Sequence, residues 1–449
     1  CHTLRLFCPV SNRKDHHVGL MVISSIDLKN GHVVQLKNGK ELVLQRDDAD
    51  ALISQFDLYG EVAVIDLDAA LGNVDAKGNT VNTPLLKSLL HKGNVRTGGG
   101  IRTVKRAKEL ISLGAEKVII GSAAWNSHPE NGSVLNEEFL NELVQAIGKD
   151  RIIISVDAIN GKIAVKGWTE TIDISLVDGA KQAEKFCSEL LFTCVEKEGC
   201  MQGTNMEYVK QLRDAVHCRV VVAGGVSSVP EIKELEKLHC DVQLGMALYT
   251  NKVALKDAFI ACLDFEKMPM IPVIAQSVNG EVLMQGFANE QAFEKTFETG
   301  KLTFWSRSRN ELWTKGDTSG NFLNVVKLRT DCDRDCVLAT VLPVGPSCHT
   351  GSWTCFGTDP DEKSSMGRLY NIIADRFANP KPGSYTATLD AKRVREKVEE
   401  EAEELCEAET KEDVIWEAAD LLYFVNVLLY KEGVTWQDVY NELDKRHKK

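Results

Sequence analysis

The sequence predicts a multidomain chain that opens with an α/β barrel of eight strand–helix units. A small, β-rich α+β domain built around thiols follows, and the chain ends in an all-α domain. Three observations predict this order. From residue 22 to about 265, short β-branched runs alternate with helical stretches, which implies a parallel sheet with crossover helices, and about 245 residues is the usual size of an eightfold barrel. Between 331 and 355, the thiols of Cys332, Cys348 and Cys355, with Cys336 beside the first, and three alternating carboxylates crowd one segment. From 367 onward the chain is strongly helical and heavily acidic. The boundaries fall at 21–266, 272–358 and 367–449, with residues 1–20 expected to form a disordered leader.

The bulk numbers agree with this division. At 449 residues the chain exceeds one ordinary domain, and 43% hydrophobic content suffices for packed cores. A net charge of −12 argues against a nucleic-acid partner, whose phosphates require a basic face. Small anions remain admissible, because backbone amides and metals bind phosphate whatever the total charge. Thirteen cysteines without regular spacing fit a reducing compartment. No apolar run reaches the roughly 18 residues of a membrane span. The expected location is the cytoplasm, with organelle targeting by residues 1–20 as the other reading.

The elements follow in order. Val22-Ile23-Ser24-Ser25-Ile26-Asp27 reads as the first strand, and Val62–Asp66, Lys117–Ile120, Arg151–Ser155 and Val220–Val222 read as later ones. An internal repeat selects the barrel over a doubly wound sheet. Asp27-Leu-Lys-Asn30-Gly31 recurs as Asp157-Ala-Ile-Asn160-Gly161. Gly99-Gly100-Ile101, followed by Gly121-Ser122, recurs as Gly224-Gly225-Val226, followed by Gly245-Met246. Two like halves of four strand–helix units make a (βα)8, or TIM, barrel. Met268–Pro272 is a linker, and Gly357–Ser365 is a polar, turn-forming boundary. The helix from Val414 to Tyr430 is apolar almost all round, so it is expected to be buried.

Asp27 and Asp157 end equivalent strands on opposite sides of the barrel mouth, a pairing suited to general acid and general base work on one substrate. The duplicated glycine turns let backbone N–H groups approach two phosphates, one at each end of that substrate. The region resembles the half-barrel-duplicated isomerases and cyclases of histidine biosynthesis, through Asp27, Gly98-Gly99-Gly100-Ile101-Arg102, Asp157, Lys166-Gly167-Trp168, Thr193 and Gly224-Gly225. The resemblance implies an Amadori rearrangement by Asp27 and Asp157, with Thr193 assisting and Trp168 stacking on the substrate. Gly99, Gly100, Arg102, Gly121, Ser122, Gly224, Gly225 and Gly245 would then hold phosphate. Where that family usually carries Asp-Gly-Thr, this chain has Glu198-Gly199-Cys200.

In the middle region Cys332, Cys348 and Cys355 supply three soft ligands for zinc and leave a fourth position for water, the arrangement of catalytic sites. Cys336 could instead close a structural site of four thiolates. Asp331, Asp333 and Asp335 are hard ligands suited to magnesium. Upstream, Arg307, Ser308, Arg309, Trp313 and Lys315 supply the cations, hydroxyl and ring that a phosphorylated nucleotide needs. Together these residues resemble phosphoribosyl-AMP cyclohydrolase across 272–356. That family opens the adenine ring hydrolytically. Its zinc site is shared by two subunits, so the resemblance implies a homodimer with Asp331, Asp333 and Asp335 on Mg2+. His349 would act as a base or orient a ligand. Asp317 stands where that family more usually has glutamate.

In the tail, Glu400 and Glu404 share a helix face at i, i+4, with Glu401 beside the apolar stripe, and Glu417 and Asp420 share a face at i, i+3. Facing acid pairs form a Mg2+ cage for a polyphosphate. The pattern Glu-Glu-x-x-Glu followed by Glu-x-x-Asp, with Pro382-Gly383-Ser384-Tyr385-Thr386, resembles the all-α phosphoribosyl-ATP pyrophosphohydrolases. In that reading Lys397 neutralises phosphate charge. The three resemblances imply successive steps of one pathway, with phosphoribosyl-ATP and phosphoribosyl-AMP as substrates. The alternative keeps both hydrolases and makes the barrel a non-catalytic or ligand-binding scaffold. A zinc-dependent binding module without catalysis would need four thiolates on the metal.

Overall fold

The computed structural model describes residues 22–126, 134–357, 366–380 and 383–447. The expected leader and most of the 357–365 boundary lie outside them. The chain divides into two compact units. One runs to Leu263 and includes Thr330–Arg334; the other holds Asp264–Arg329 and the chain from Asp335.

The first unit contains β1 (Val22–Lys29), β2 (His32–Lys37), β3 (Glu41–Arg46), β4 (Val62–Asp66), β5 (Val95–Gly98), β6 (Lys117–Ile120) and β7 (Ile152–Ser155). It continues with β8 (Ala158–Ile159), β9 (Lys162–Val165), β10 (Glu170–Ser175), β11 (Glu189–Thr193), β12 (Arg219–Ala223) and β13 (Asp241–Leu244). Strands β1, β4, β5, β6, β7, β11, β12 and β13 pair in parallel, and β13 pairs back onto β1 at Val22↔Val242, so the barrel closes. Its strands are β-branched because both faces are covered. Ile23, Ala63, Ile119, Ile153, Leu191 and Val221, one from each of six strands, form a packed layer in the interior.

At the N-terminal ends of the strands the interior is ionic. Arg96, fully buried, pairs with Glu61 and Glu189. Glu189 also accepts from Lys117 at 3.1 Å and Arg219 at 3.0 Å, and Arg219 pairs with Asp241. Burial pulls the Lys117 ammonium down to about 8 despite Glu189 beside it. Arg334 also donates to Asp241 at 3.0 Å, so charges of both signs are paired at that end, and the mouth lies at the other.

The sequence repeat is physical. Residues 22–30 and 152–160 share one burial pattern. Asn30-Gly31 and Asn160-Gly161 both turn through left-handed φ, 53° and 83° in one and 50° and 73° in the other. Asn30 N–H donates to Asp68 at 2.7 Å, and Asn160 N–H donates to Glu196 at 2.6 Å.

The second unit contains β14 (Ile271–Ser277), β15 (Val282–Ala288), β16 (Thr303–Ser306), β17 (Glu311–Thr314), β18 (Leu323–Thr330) and β19 (Val337–Pro343). Four of them form a sheet in the order β15-β14-β19-β18, and β16 and β17 pair separately. Strand β14 starts inside the expected linker, at Ile271. Asn289 caps the helix Glu290–Thr299 by accepting from Ala292 N–H. Helices Met366–Ala378, Ala391–Glu407, Lys411–Lys431 and Trp436–His447 follow, around a core of Ile373, Leu389, Val394, Phe424 and Val427.

One expectation fails here. Within this chain the first turns of Lys411–Lys431 are not buried: Val414, Ile415 and Trp416 are exposed, Trp416 by 69%. Only Phe424, Asn426 and Val427 of that helix are fully covered. Periodicity reports how apolar a helix is, not which chain covers it. Among the described residues no helix is long and apolar enough to cross a membrane.

Candidate functional site

The barrel mouth gathers the predicted residues. Asp27, Gly99, Gly100, Arg102, Gly121, Ser122, Asp157, Trp168, Thr193, Gly224, Gly225 and Gly245 line one cavity. Ser25 Oγ donates to Asp27 at 2.9 Å, and its counterpart Ser155 donates to Asp157 at 2.7 Å. The Trp168 indole N–H adds a bond of 2.7 Å to Asp157, and Thr193 also hydrogen-bonds that carboxylate. Burial pushes Asp27 up to about 6 against the Ser25 bond, and it raises Asp157 against three donors. Lys166, Gly167 and Trp168 are consecutive left-handed residues, at φ 53°, 62° and 68°, so the loop that aims Trp168 is strained.

A third carboxyl enters this mouth. Glu198 is pushed up to about 8, first by burial and then by the charges of Asp27 and Asp157. The sequence marks it only as a departure from a family motif; the fold turns it inward, into the cavity that both aspartates line. Its Oε2 lies 3.1 Å from where a Cβ on Gly224 would stand. Asn82 also went unnoticed in the sequence. Fully buried, it donates to Leu28 O, Asp66 and Asp68 and accepts from Gly31 N–H at 2.7 Å, pinning the turn that follows Asp27.

The glycines are required by close approach. A Cβ on Gly99 would lie 2.1 Å from Asp66 O, and one on Gly224 2.9 Å from Cys194 O. Ser122 Oγ accepts from Lys166 N–H, and Gly245 abuts Gln35. Arg102 donates to the carbonyls of Ala69 and Ala70, so it braces the loop after β4.

In the second unit Cys348 and Cys355 hydrogen-bond each other at the end of the sheet. Thr350 Oγ1 donates to Cys348 Sγ at 3.1 Å, and that bond pulls the Cys348 thiol down. Burial and the neighbouring Cys348 push Cys355 up. Two thiols in contact, one of them favoured as thiolate, fit a soft metal such as zinc. Among the described residues no cluster of three ligand groups contains Cys332, Cys348 and Cys355 together. His349 is exposed, with Nδ1 3.8 Å from Cys348 Sγ. Cys336 precedes β19 and is half-buried.

Lys315, expected on substrate, is buried. It donates to Asn321 O at 3.4 Å, and its charge faces Cys355 and Cys348. Arg307 lies 3.7 Å over the Phe287 ring, Arg309 pairs with Glu311 at 3.2 Å, and Ser308 is exposed between them. Trp313 packs on Phe304 with ring centres 5.6 Å apart. Asp331, Asp333 and Asp335 hold carboxylate oxygens within 4.8 Å of one another, a hard set that fits magnesium, and Lys267 pairs with Asp335 at 2.5 Å.

In the helical region Glu401, Glu417 and Asp420 converge within 4.8 Å. Glu417 is raised by burial, then by Glu404, Glu401 and Asp420, the effect of crowding like charges. Oxygen donors of this kind fit magnesium. Glu400 is not among them; it pairs with Lys397 at 2.8 Å. Lys397 also binds Glu401 at 2.5 Å. Burial works against its charge, but the hydrogen bonds to both glutamates hold the ammonium above its ordinary range.

A closed barrel with paired acids between glycine cradles, a thiol-bearing domain and a helical carboxylate cage define a multifunctional enzyme of small phosphorylated metabolites. Family models agree on the particulars. "Histidine biosynthesis protein" matches residues 21–254, "Phosphoribosyl-AMP cyclohydrolase" 284–357, and "Phosphoribosyl-ATP pyrophosphohydrolase" 366–447. The chain is similar to the histidine biosynthesis bifunctional protein HisIE of Vibrio vulnificus, 44% identical over 197 residues, 41% of this chain and 93% of that protein. It is likewise similar to HisIE of Escherichia coli, 45% identical over 193 residues (41% and 95%). The chain belongs to the histidine biosynthesis protein family, with an isomerase-type barrel joined to cyclohydrolase and pyrophosphohydrolase domains.

Proposed function

We propose that the three sites carry out three consecutive reactions of histidine biosynthesis. The helical region hydrolyses phosphoribosyl-ATP to phosphoribosyl-AMP and pyrophosphate, the middle domain opens the adenine ring of phosphoribosyl-AMP, and the barrel isomerises the product. The observation that carries the barrel reading is the convergence of Asp27, Asp157 and Glu198 between two glycine cradles. An Amadori rearrangement opens the ribose by protonating its ring oxygen and removes the C2 proton, so it needs one protonated and one ionised carboxyl in one mouth. Burial pushes Glu198 up to about 8 and Asp27 only to about 6, so Glu198 is the carboxyl that favours its proton and Asp27 the one that ionises more readily. Trp168 would stack on the base while holding Asp157, and the cradles would take the terminal phosphates.

Cys348 and Cys355, with Cys332 supplied by a second copy of the chain, would hold zinc. When bound, zinc makes its water acidic enough to serve as a nucleophile near neutral pH. The exposed Val414–Trp416 surface supports a homodimer. Glu401, Glu417 and Asp420, with Glu404 beside them, would hold Mg2+ for pyrophosphate release, and Asp331, Asp333 and Asp335 a second Mg2+ near the ring-opening site.

Product analysis with phosphoribosyl-ATP tests the scheme. The parent chain should yield the isomerised ribonucleotide. Asp157→Asn should stop one step earlier, with isomerisation lowered about a thousandfold, and Cys348→Ser should stop at phosphoribosyl-AMP. A parent chain that accumulates the barrel's substrate would refute the trifunctional reading and leave the scaffold alternative.

A further inference from the structure

The thiol loop is held partly from outside its own domain. Cys348 and Cys355 lie on a hairpin in which Ser347 N–H donates to Trp353 O at 3.0 Å and Cys348 N–H to Ser352 O at 3.0 Å. Cys355 N–H donates to Leu283 O of β15 at 2.8 Å. The Trp353 side chain then reaches away from the thiols, and its indole N–H donates to Glu281 Oε2 at 2.8 Å, at the turn between β14 and β15.

That same oxygen takes a second bond from another domain. Asn371, on the first helix of the pyrophosphohydrolase region, donates through Nδ2 to Glu281 Oε2 at 2.5 Å. Its orientation is set by Asn279, whose Nδ2 donates to Asn371 Oδ1 at 3.1 Å. One turn earlier, Gly367 lets the helix come close: a Cβ there would lie 2.6 Å from Asn279 O. Two neutral donors from two domains thus converge on one half-buried carboxylate oxygen. Bonds to a charged acceptor are stronger than neutral ones and fix both donors in direction.

We propose that Asn371 and Glu281 form a positioning latch, by which the first helix of the pyrophosphohydrolase region sets the thiol loop for metal. The inference rests on the reading of Cys348 and Cys355 as zinc ligands. Neither Asn371 nor Glu281 touches a thiol. They act through Trp353, two residues from Cys355, in the way that groups outside a ligand shell commonly alter metal affinity about 10–100-fold. The fusion of the two domains then has a chemical consequence, because part of the support for one site is carried by the other domain's helix.

The test uses the full-length chain, zinc chloride and a competing chelator, with cobalt(II) as a spectroscopic substitute. Asn371→Asp places a carboxylate against Glu281 and removes the donor. The expected result is zinc retention about tenfold weaker and an altered cobalt–thiolate absorption band, with pyrophosphate release from phosphoribosyl-ATP unchanged. The double variant Asn371→Asp with Glu281→Gln restores a complementary pair, since the new amide accepts from Trp353 and donates to Asp, and it should recover zinc retention and the parent's band. Equal zinc retention by Asn371→Asp and parent would overturn the latch. So would loss in the single variant with no recovery in the double, because that result marks general damage to the helix. A parent chain that binds no zinc would refute the ligand reading itself, and the latch with it.

Discussion

Glu198→Gln isolates the electrostatics of the barrel mouth. Burial, with Asp27 and Asp157 nearby, raises this carboxyl from 4.5 to about 8. The folded chain therefore keeps a proton that the unfolded chain gives up between those two values. Stability from this residue is complete below pH 4.5 and is lost as pH rises toward 8. At about 1.4 kcal/mol per pH unit, the upper bound at pH 7 is roughly 3 kcal/mol, and relaxation of the interior makes about 1–3 kcal/mol the expected size. Glutamine is uncharged throughout, so the variant escapes that loss. Urea unfolding of the barrel should show the two proteins nearest in stability around pH 5, with the variant gaining steadily toward pH 8. A gap that stays constant with pH, or one that closes toward pH 8, would refute the burial of Glu198 beside the two aspartates. Isomerisation should fall in the same variant, because glutamine cannot deliver a proton.

Three further outcomes follow from distances already given. Glu189→Gln leaves Arg96, Arg219 and Lys117 short of a buried anion and should cost the barrel about 3–5 kcal/mol in denaturant unfolding, with no change in metal content. Gly99→Ala should cost more than Gly224→Ala, about 3 kcal/mol against about 1, because its Cβ meets a carbonyl at 2.1 Å instead of 2.9 Å; equal thermal shifts would count against the cradle geometry. Glu401→Gln should abolish magnesium-dependent pyrophosphate release and raise the magnesium requirement in titration, while ring opening proceeds on supplied phosphoribosyl-AMP.

The barrel was legible because parallel strands covered on both faces must be β-branched runs, and because the duplication left the same residues at Asp27 and Asp157. The thiol loop was legible by ligand chemistry alone. What escaped was assembled from residues that are unremarkable one by one. The ion network draws a single residue from each of several strand starts, and no local pattern connects Arg96 to Glu189 across 93 positions. Asn82 looks like a helix cap; only the fold shows its amide facing two aspartates. Arg102 and Lys315 carry the charge a phosphate would seek, yet carbonyls and thiols near in space claim them. The helix after Lys411 misled for another reason, since an apolar surface is the same in sequence whether its own chain or a second one covers it.

The two half-barrels repeat in backbone but have divided their work. Strand register makes Asp68 the counterpart of Glu196, and two residues further on Ala70 occupies the place that Glu198 holds in the second half. Trp168, Thr193 and Glu198 all come from that second half, whereas the Asn82 clamp belongs to the first. A barrel assembled from two copies of the first half would keep both glycine turns and a symmetric pair of aspartates, yet it would lack the Glu198 carboxyl. A barrel made of two second halves would carry that carboxyl twice, in a mouth with no clamp. Neither half is a spare: the two share a frame, and each contributes side chains that the other lacks.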